Sequence, residues 1–327
     1  MRTCFLHAGM PKAASTLFQA EIANNQQNLA EVGINILSRY QRKQKHKVIS
    51  QLLSSPQTLR EVAVAIAKEA THLASDILIT SEELFYPFHT LVPSLREALE
   101  REGLRLKFLV ILRTQPDHIA SAYGENIRLG HKVGTFDQFV TKRINKQFYD
   151  YYEYIVDFCK NNKLNVYITS LSLFISHPMG NTLSSFFERN VEIQHSRLTA
   201  REGLSREMIT TLALLGPFRA KINFSEFLPY VIALDRDLSL NKEFPWGEKA
   251  NFLTKEQYNY IYLKYVDSNI KTSRCIAGGV DAEEAFPYNF RNCNRLDLLN
   301  LNPKTKRMMG EIIAHALRRD LVNSKTR

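Results

Sequence analysis

A short segment near the N-terminus combines residue types that can hold an anion. An apolar run ends at His7, Gly9 and Lys12 follow, and Ser15 and Thr16 stand where a helical pattern begins. Exposed N–H groups at the start of a helix carry a partial positive charge and bind anions. Lys12 adds a full positive charge, and the two hydroxyls add donors. The segment therefore predicts a site for a diphosphate-like group.

The spacing in this segment differs from two common nucleotide-binding loops. The loop of nucleoside triphosphatases places its lysine directly before the serine or threonine, whereas Lys12 precedes Ser15 by three positions and has no glycine beside it. The dinucleotide fingerprint G-x-G-x-x-G does not follow the apolar run either. His7 lies beside the segment, where we expect it either to pack at the strand end or to orient the loop.

The segment resembles the 5′-phosphosulfate loop of sulfotransferases that use 3′-phosphoadenosine 5′-phosphosulfate (PAPS). The stretch from His7 to Lys12, followed by Ser15, Thr16 and Gln19, is similar to bacterial members of that superfamily. The resemblance implies that Lys12 contacts the leaving phosphate oxygen and that Ser15 and Thr16 bind the phosphosulfate.

Two alanines depart from the motif of that family, which is often P-K-[TS]-G-T-T. Ala13 lacks the usual side-chain donor, and Ala14 stands where glycine is usual, so the loop backbone there must accommodate a Cβ atom. Backbone contacts survive an alanine. The predicted donor-binding loop comprises Gly9, Pro11, Lys12, Ala13, Ala14, Ser15 and Thr16.

A second match to the family follows another predicted strand. Arg113 stands at the end of an apolar run, and Ser121 stands eight positions further along, inside a predicted helix. A guanidinium group supplies a planar set of donors suited to phosphate. The resemblance implies that Arg113 and Ser121 bind the 3′-phosphate of PAPS, which distinguishes PAPS from ATP.

Transfer of a sulfuryl group to an alcohol needs a base for the acceptor's proton. Glu82 follows the predicted strand 76–80, and ligands of open α/β sheets bind at the carboxyl ends of strands. Family members have a histidine or a glutamate at the comparable strand end, so the resemblance implies Glu82 as the base. Glu83 and His46 are the alternatives, and a capping or salt-bridging role for Glu82 is also open.

Residues on the acceptor side are less specific. Arg128 and His131 lie in a glycine-bounded segment after Ser121, and His46 lies in a basic run, so we expect these three to contact the substrate. A tyrosine-rich stretch, 136–158, is predicted to be helical. Its tyrosines either stack on an acceptor or pack the helix onto the sheet, and we favour packing. The sequence does not identify the acceptor, for which an anionic glycan or another small molecule is suitable.

Composition bounds these interpretations. The net charge of +10 favours an anionic partner such as a nucleotide, nucleic acid, acidic glycan or membrane surface, with simple solubility as the less favoured alternative. The four cysteines are dispersed without zinc spacing, which predicts a reduced protein without a metal site, although Cys275 and Cys293 could pair. The N-terminal apolar run is too short for a signal peptide, and no stretch suits a membrane span, so we expect a cytoplasmic protein.

The pattern of apolar residues predicts an α/β fold. Nearly continuous apolar runs predict four buried parallel strands at 3–7, 76–80, 106–112 and 165–169. Helical patterns are predicted at 15–25, 59–73, 117–129, 255–270 and 303–321. Alternation of strands and helices predicts a parallel sheet between helical layers, and the resemblance implies a P-loop-like three-layer αβα arrangement. We expect one domain, 1–327, with a nucleotide-binding core at 1–195 and a mainly helical part at 196–327.

The leading hypothesis is a sulfotransferase that moves a sulfuryl group from PAPS to a hydroxyl and releases 3′,5′-ADP without a metal. A P-loop kinase that binds ATP is the enzyme alternative, but it needs a lysine beside the serine or threonine. A basic nucleic-acid-binding protein is the alternative from a different class. The basic residues are dispersed and form no recognised nucleic-acid motif, which counts against this alternative.

Overall fold

The computed structural model describes most of the chain. The described residues are 1–38, 56–131, 134–193, 204–215, 224–240, 251–276, 278–291, 293 and 303–324. His46, one of the predicted substrate contacts, lies outside them.

A parallel five-stranded sheet lies at the centre of the fold. The strands are β1 (Arg2–His7), β2 (Ile34–Ile36), β3 (Asp76–Thr80), β4 (Leu104–Leu112) and β5 (Asn165–Ser170). Their order across the sheet is β2-β3-β1-β4-β5, with every neighbouring pair parallel. In register, Leu6 pairs with Ile79 on one side and with Phe108 on the other. The predicted α/β fold with a central parallel sheet between helices is confirmed.

The strands form where apolar residues run continuously. All five residues of β3 are buried, as are eight of the nine in β4. Such burial fits a sheet covered on both faces. Strand β2 was not predicted, because its three residues are too few for a pattern and include the polar Asn35.

Helices make up most of the remaining structure. The N-terminal half contains α1 (Ser15–Asn24), α2 (Gln26–Glu31), α3 (Pro56–His72), α4 (Phe88–Arg101), α5 (Gln115–Arg128) and α6 (Phe136–Arg143). The remaining helices are α7 (Phe158–Asn161), α8 (Leu171–Ser176), α9 (Met179–Phe187), α10 (Arg206–Leu214), α11 (Phe224–Leu240), α12 (Lys255–Lys264), α13 (Val266–Ser273), α14 (Ala282–Ala285) and α15 (Pro303–Ser324).

Two stretches that were predicted as continuous helices are interrupted in the structure. The stretch 136–158 is divided into α6, a 3-10 turn (Gln147–Tyr149) and a π-helix (Tyr152–Asp157) before α7. Tyr149 and Tyr151 are both fully buried, and residues two apart on an α-helix point to different sides. A break in the helix allows both rings into the core. The stretch 255–270 is likewise divided between α12 and α13.

The chain groups into two compact units. The sheet unit comprises Met1–Gln115, Lys146–Ala200 and Lys264–Tyr288. The helical unit comprises Pro116–Asn145, Arg201–Leu263 and Asn289–Arg327. Within the described residues, no helix has the length and apolar character needed to cross a membrane. All four cysteines are free.

Candidate functional site

The strand order reverses at β1 in the sheet unit. The chain passes from β1 to β2 and β3 on one side of β1, and then crosses to β4 on the other side. Ligands of open α/β sheets bind at the carboxyl ends of strands where the order reverses in this way. The loop after β1, residues 8–14, and Arg113, directly after β4, flank this point. We call residues 8–14 the β1 loop.

Backbone hydrogen bonds hold the β1 loop along β4. The N–H of Ala8 donates to the carbonyl of Leu109 at 3.1 Å, and the N–H of Met10 donates to that of Ile111 at 3.3 Å. The hydroxyl of Ser15, buried at the start of α1, donates to the carbonyl of Met10 at 3.4 Å. The loop therefore continues the pairing of β1 with β4 as far as Met10.

The β1 loop has two left-handed residues that are not glycine. The angle φ is 68° at Lys12 and 60° at Ala14. The left-handed region costs an L-residue about 1–2 kcal/mol, and residues held there cluster at functional sites. Ala14 is also the N-cap residue of α1 and makes no side-chain cap. The first N–H groups of α1 thus receive no acceptor from Ala14, as an anion-binding helix start requires.

Arg113 contacts the β1 loop directly. Its guanidinium donates a hydrogen bond of 2.9 Å to the carbonyl of Lys12. The hydroxyl of Tyr151 in turn donates to the carbonyl of Arg113, and it lies 3.4 Å from Sδ of Met10. Two cationic residues predicted from separate motifs, Lys12 and Arg113, are therefore brought to the same loop.

His7 lies beneath the β1 loop. Its ring is fully buried and its centroid lies 4.1 Å from that of the Phe18 ring. Among the described residues, neither nitrogen of the ring has a hydrogen-bond partner. Burial lowers the pKa of His7 to about 3, so the imidazole is neutral. A Cβ atom at Gly9 would lie 2.2 Å from Nε2 of His7. Glycine is therefore required at position 9 for the loop to lie over the imidazole, and packing at the strand end is confirmed.

The predicted base lies at the neighbouring strand end. The N–H of Ser81 donates to the carbonyl of His7 at 2.9 Å, which keeps the end of β3 beside that of β1. Glu82 and Glu83, both half-buried, begin a 3-10 turn that ends at Leu84. The carboxylates thus follow β3 at the same sheet edge as the β1 loop. The choice of Glu82 over Glu83 stays a prediction.

Three predicted residues lie on or after α5, in the helical unit. Ser121 is half-buried on that helix, so its pairing with Arg113 stays a prediction. Arg128 forms a bidentate ion pair with Glu125, through Nε at 2.6 Å and Nη2 at 2.5 Å. The guanidinium is therefore already partly neutralised. His131 is exposed after the helix.

The tyrosine-rich segment packs rather than forming an open platform. Tyr149 and Tyr151 are fully buried and Tyr154 is 8% exposed, which confirms the packing interpretation for these three. The ring of Tyr152 has the ammonium groups of Lys160 and Lys271 each 5.5 Å from its centroid. Sequence reasoning missed the contact of Tyr151 with Arg113, because nothing in the local pattern distinguishes Tyr151 from the neighbouring tyrosines.

Comparisons with known proteins add little to this site. No protein-family model matches the chain, and no curated protein matches it. One solved structure is similar over 69% of this chain and 87% of its own, at 13% identity and a TM-score of 0.30. Its title describes the PezAT chromosomal toxin-antitoxin system of the human pathogen Streptococcus pneumoniae. A TM-score of this size carries no argument. Within the described part of the chain, no group of three or more His, Cys, Asp or Glu side chains could hold a metal ion.

Proposed function

We propose that the protein is a sulfotransferase that moves a sulfuryl group from PAPS to a hydroxyl of a carbohydrate or other small acceptor. The observation that carries this proposal is the hydrogen bond from Arg113 to the carbonyl of Lys12. It brings the residue proposed for the 3′-phosphate to the loop proposed for the 5′-phosphosulfate. The location of both at the reversal of strand order supports a nucleotide ligand.

The proposed reaction uses residues of the sheet unit. The acceptor oxygen forms a bond to sulfur while the bond from sulfur to the bridging phosphate oxygen breaks, and its electron pair leaves with 3′,5′-ADP. The Lys12 ammonium and the first N–H groups of α1 stabilise the charge that develops on that oxygen. The Glu82 carboxylate takes the proton of the acceptor hydroxyl. Arg113 binds the 3′-phosphate.

Titration calorimetry with 3′,5′-ADP tests the donor site. We expect wild-type protein to bind it, and Lys12→Ala to weaken binding roughly 10–100-fold, since a charge-assisted hydrogen bond contributes about 1.5–3 kcal/mol. Lys68→Ala removes the same charge from an exposed position on α3 and should leave the affinity unchanged. Failure of wild type to bind 3′,5′-ADP, or equal affinities of wild type and Lys12→Ala, contradicts the proposal.

The second phosphate is tested by changing the ligand. Adenosine 5′-monophosphate lacks the 3′-phosphate. Arg113→Ala should therefore weaken the binding of 3′,5′-ADP much more than the binding of the monophosphate. Tighter binding of ATP than of PAPS would favour a kinase instead. Steeply salt-dependent binding of DNA or RNA without any effect of PAPS would favour a nucleic-acid-binding protein.

A further inference from the structure

A π-helix lies next to the candidate site in the sheet unit. It spans Tyr152–Asp157, with Tyr151 at its N-cap position. π-Helical turns are rare and often occur at functional sites. Here the segment presents two tyrosine hydroxyls, from Tyr151 and Tyr154, to two different chain segments.

The hydroxyl of Tyr151 connects the two halves of the donor site. It donates to the carbonyl of Arg113 and lies 3.4 Å from Sδ of Met10 in the β1 loop. Burial raises the pKa of Tyr151 well above its ordinary value, so the hydroxyl keeps its proton and remains a donor. The ring packs 5.8 Å from that of Phe286, an apolar contact that does not involve the hydroxyl.

The hydroxyl of Tyr154 contacts the segment that carries the candidate base. It lies 3.1 Å from the carbonyl of Phe85 and 2.7 Å from that of Tyr86. Both carbonyls follow the turn that begins at Glu82. The N–H of Phe85 donates to the carbonyl of Glu82 at 3.3 Å, so displacement of Phe85 is transmitted to the turn. Burial raises the pKa of Tyr154 to about 12, which likewise keeps its hydroxyl protonated.

Hydrogen bonds to α13 fix the start of the tyrosine segment. The hydroxyl of Ser268 donates to the carboxylate of Asp150 at 2.7 Å and accepts from the N–H of Tyr152 at 3.0 Å. Gln115 and Asn269 form a reciprocal amide pair at 2.8 and 3.0 Å, which ties α13 to the residues after β4. The segment is therefore held from a second side, independently of its tyrosine hydroxyls.

From these contacts we infer that Tyr151 and Tyr154 are positioning residues, one for the donor site and one for the base. Tyr151 holds the backbone of Arg113 against the β1 loop, and Tyr154 holds the backbone that follows Glu82. The inference rests on the proposed sulfuryl transfer for its catalytic meaning, whereas the two backbone contacts stand without it. Because the two hydroxyls have different partners, their removal should have different consequences.

Single-atom deletions separate the two roles. Tyr151→Phe should raise the Kd of 3′,5′-ADP roughly 3–10-fold, the effect of losing about one net hydrogen bond. Tyr154→Phe should leave that Kd within about twofold of the wild-type value. It should lower the turnover of PAPS at saturation roughly 3–10-fold, again the effect of losing about one net hydrogen bond. Turnover is measured as 3′,5′-ADP released with water as the acceptor. Tyr152→Phe, on the same segment but with neither backbone contact, is the matched control and should change neither quantity.

Hydrogen exchange of backbone amides supplies a readout that needs no nucleotide. Tyr151→Phe should speed exchange at residues 9–16 and not at 82–86, and Tyr154→Phe should do the reverse. The inference would be overturned if the two variants changed Kd and turnover equally, or if hydrogen exchange rose in both segments in each variant. Either result would show that the tyrosines act only on the general stability of the structure. If wild type binds no 3′,5′-ADP, the proposed function fails, and the exchange pattern alone then decides whether the tyrosines position these segments.

Discussion

Replacing Ala14 by glycine should stabilise the protein, which is unusual for an alanine at a helix start. Ala14 has φ 60° and ψ 16°, so its Cβ atom is held in the left-handed region. Relief of that strain should contribute about 1–2 kcal/mol. The greater freedom of glycine in the unfolded chain opposes this by about 0.5–1 kcal/mol. The net expectation for Ala14→Gly is a free energy of unfolding higher by about 0.5–1 kcal/mol.

The neighbouring Ala13 is a control for the same chemical change. It is fully buried and does not have a left-handed φ. Ala13→Gly therefore adds the entropy cost and removes a buried methyl group worth about 0.8 kcal/mol. We expect it to lower the free energy of unfolding by about 1–2 kcal/mol. Urea unfolding followed by far-ultraviolet circular dichroism measures both variants. Destabilisation by Ala14→Gly equal to that by Ala13→Gly would refute the left-handed conformation at Ala14.

Two further predictions concern His7 and Gly9, which lie against each other. Burial lowers the pKa of His7 to about 3, so below pH 6.5 the unfolded chain binds a proton that the folded chain does not. His7 thus makes stability fall as pH falls towards 3, by up to about 1.4 kcal/mol per pH unit. Urea titrations from pH 7 to 4 should show a shallower pH dependence of the free energy of unfolding for His7→Gln. Gly9→Ala should lower both the unfolding midpoint and the affinity for 3′,5′-ADP, because the added Cβ would meet Nε2 of His7 at 2.2 Å. Gly310→Ala, at a helical position with open space around its Cα, should instead stabilise by about 0.5–1 kcal/mol and leave that affinity unchanged; a loss of affinity in both glycine variants would contradict the role of the contact.

Sequence reasoning succeeded where the signal is local. The strand that ends before Arg113 is apolar along nearly its whole length, so its burial and its carboxyl end were predictable. The unusual backbone conformation of Ala14 was partly predictable, because the motif that this segment resembles usually has glycine at that position. Strand β2 was missed, since Ile34 and Ile36 are too few to establish a period.

Features that depend on distant pairing were not predictable from local patterns. The order of strands places β4 beside β1 and so brings Arg113 to Lys12, which lie 101 residues apart in the chain. The contact of Tyr151 with Met10 spans 141 residues. Its tyrosine resembles the neighbouring ones until the chain folds, because its surroundings are set by tertiary packing.

The amide pair between Gln115 and Asn269 has a consequence for protein synthesis. The two residues are separated by 154 positions, and ribosomes add about 5–20 residues per second. For roughly 8–30 s after Gln115 is made, its amide therefore lacks the Asn269 side chain with which it pairs in the finished fold. All five strands are translated before Asn269. The sheet can therefore assemble on the ribosome before the residues after β4 make their contact with α13.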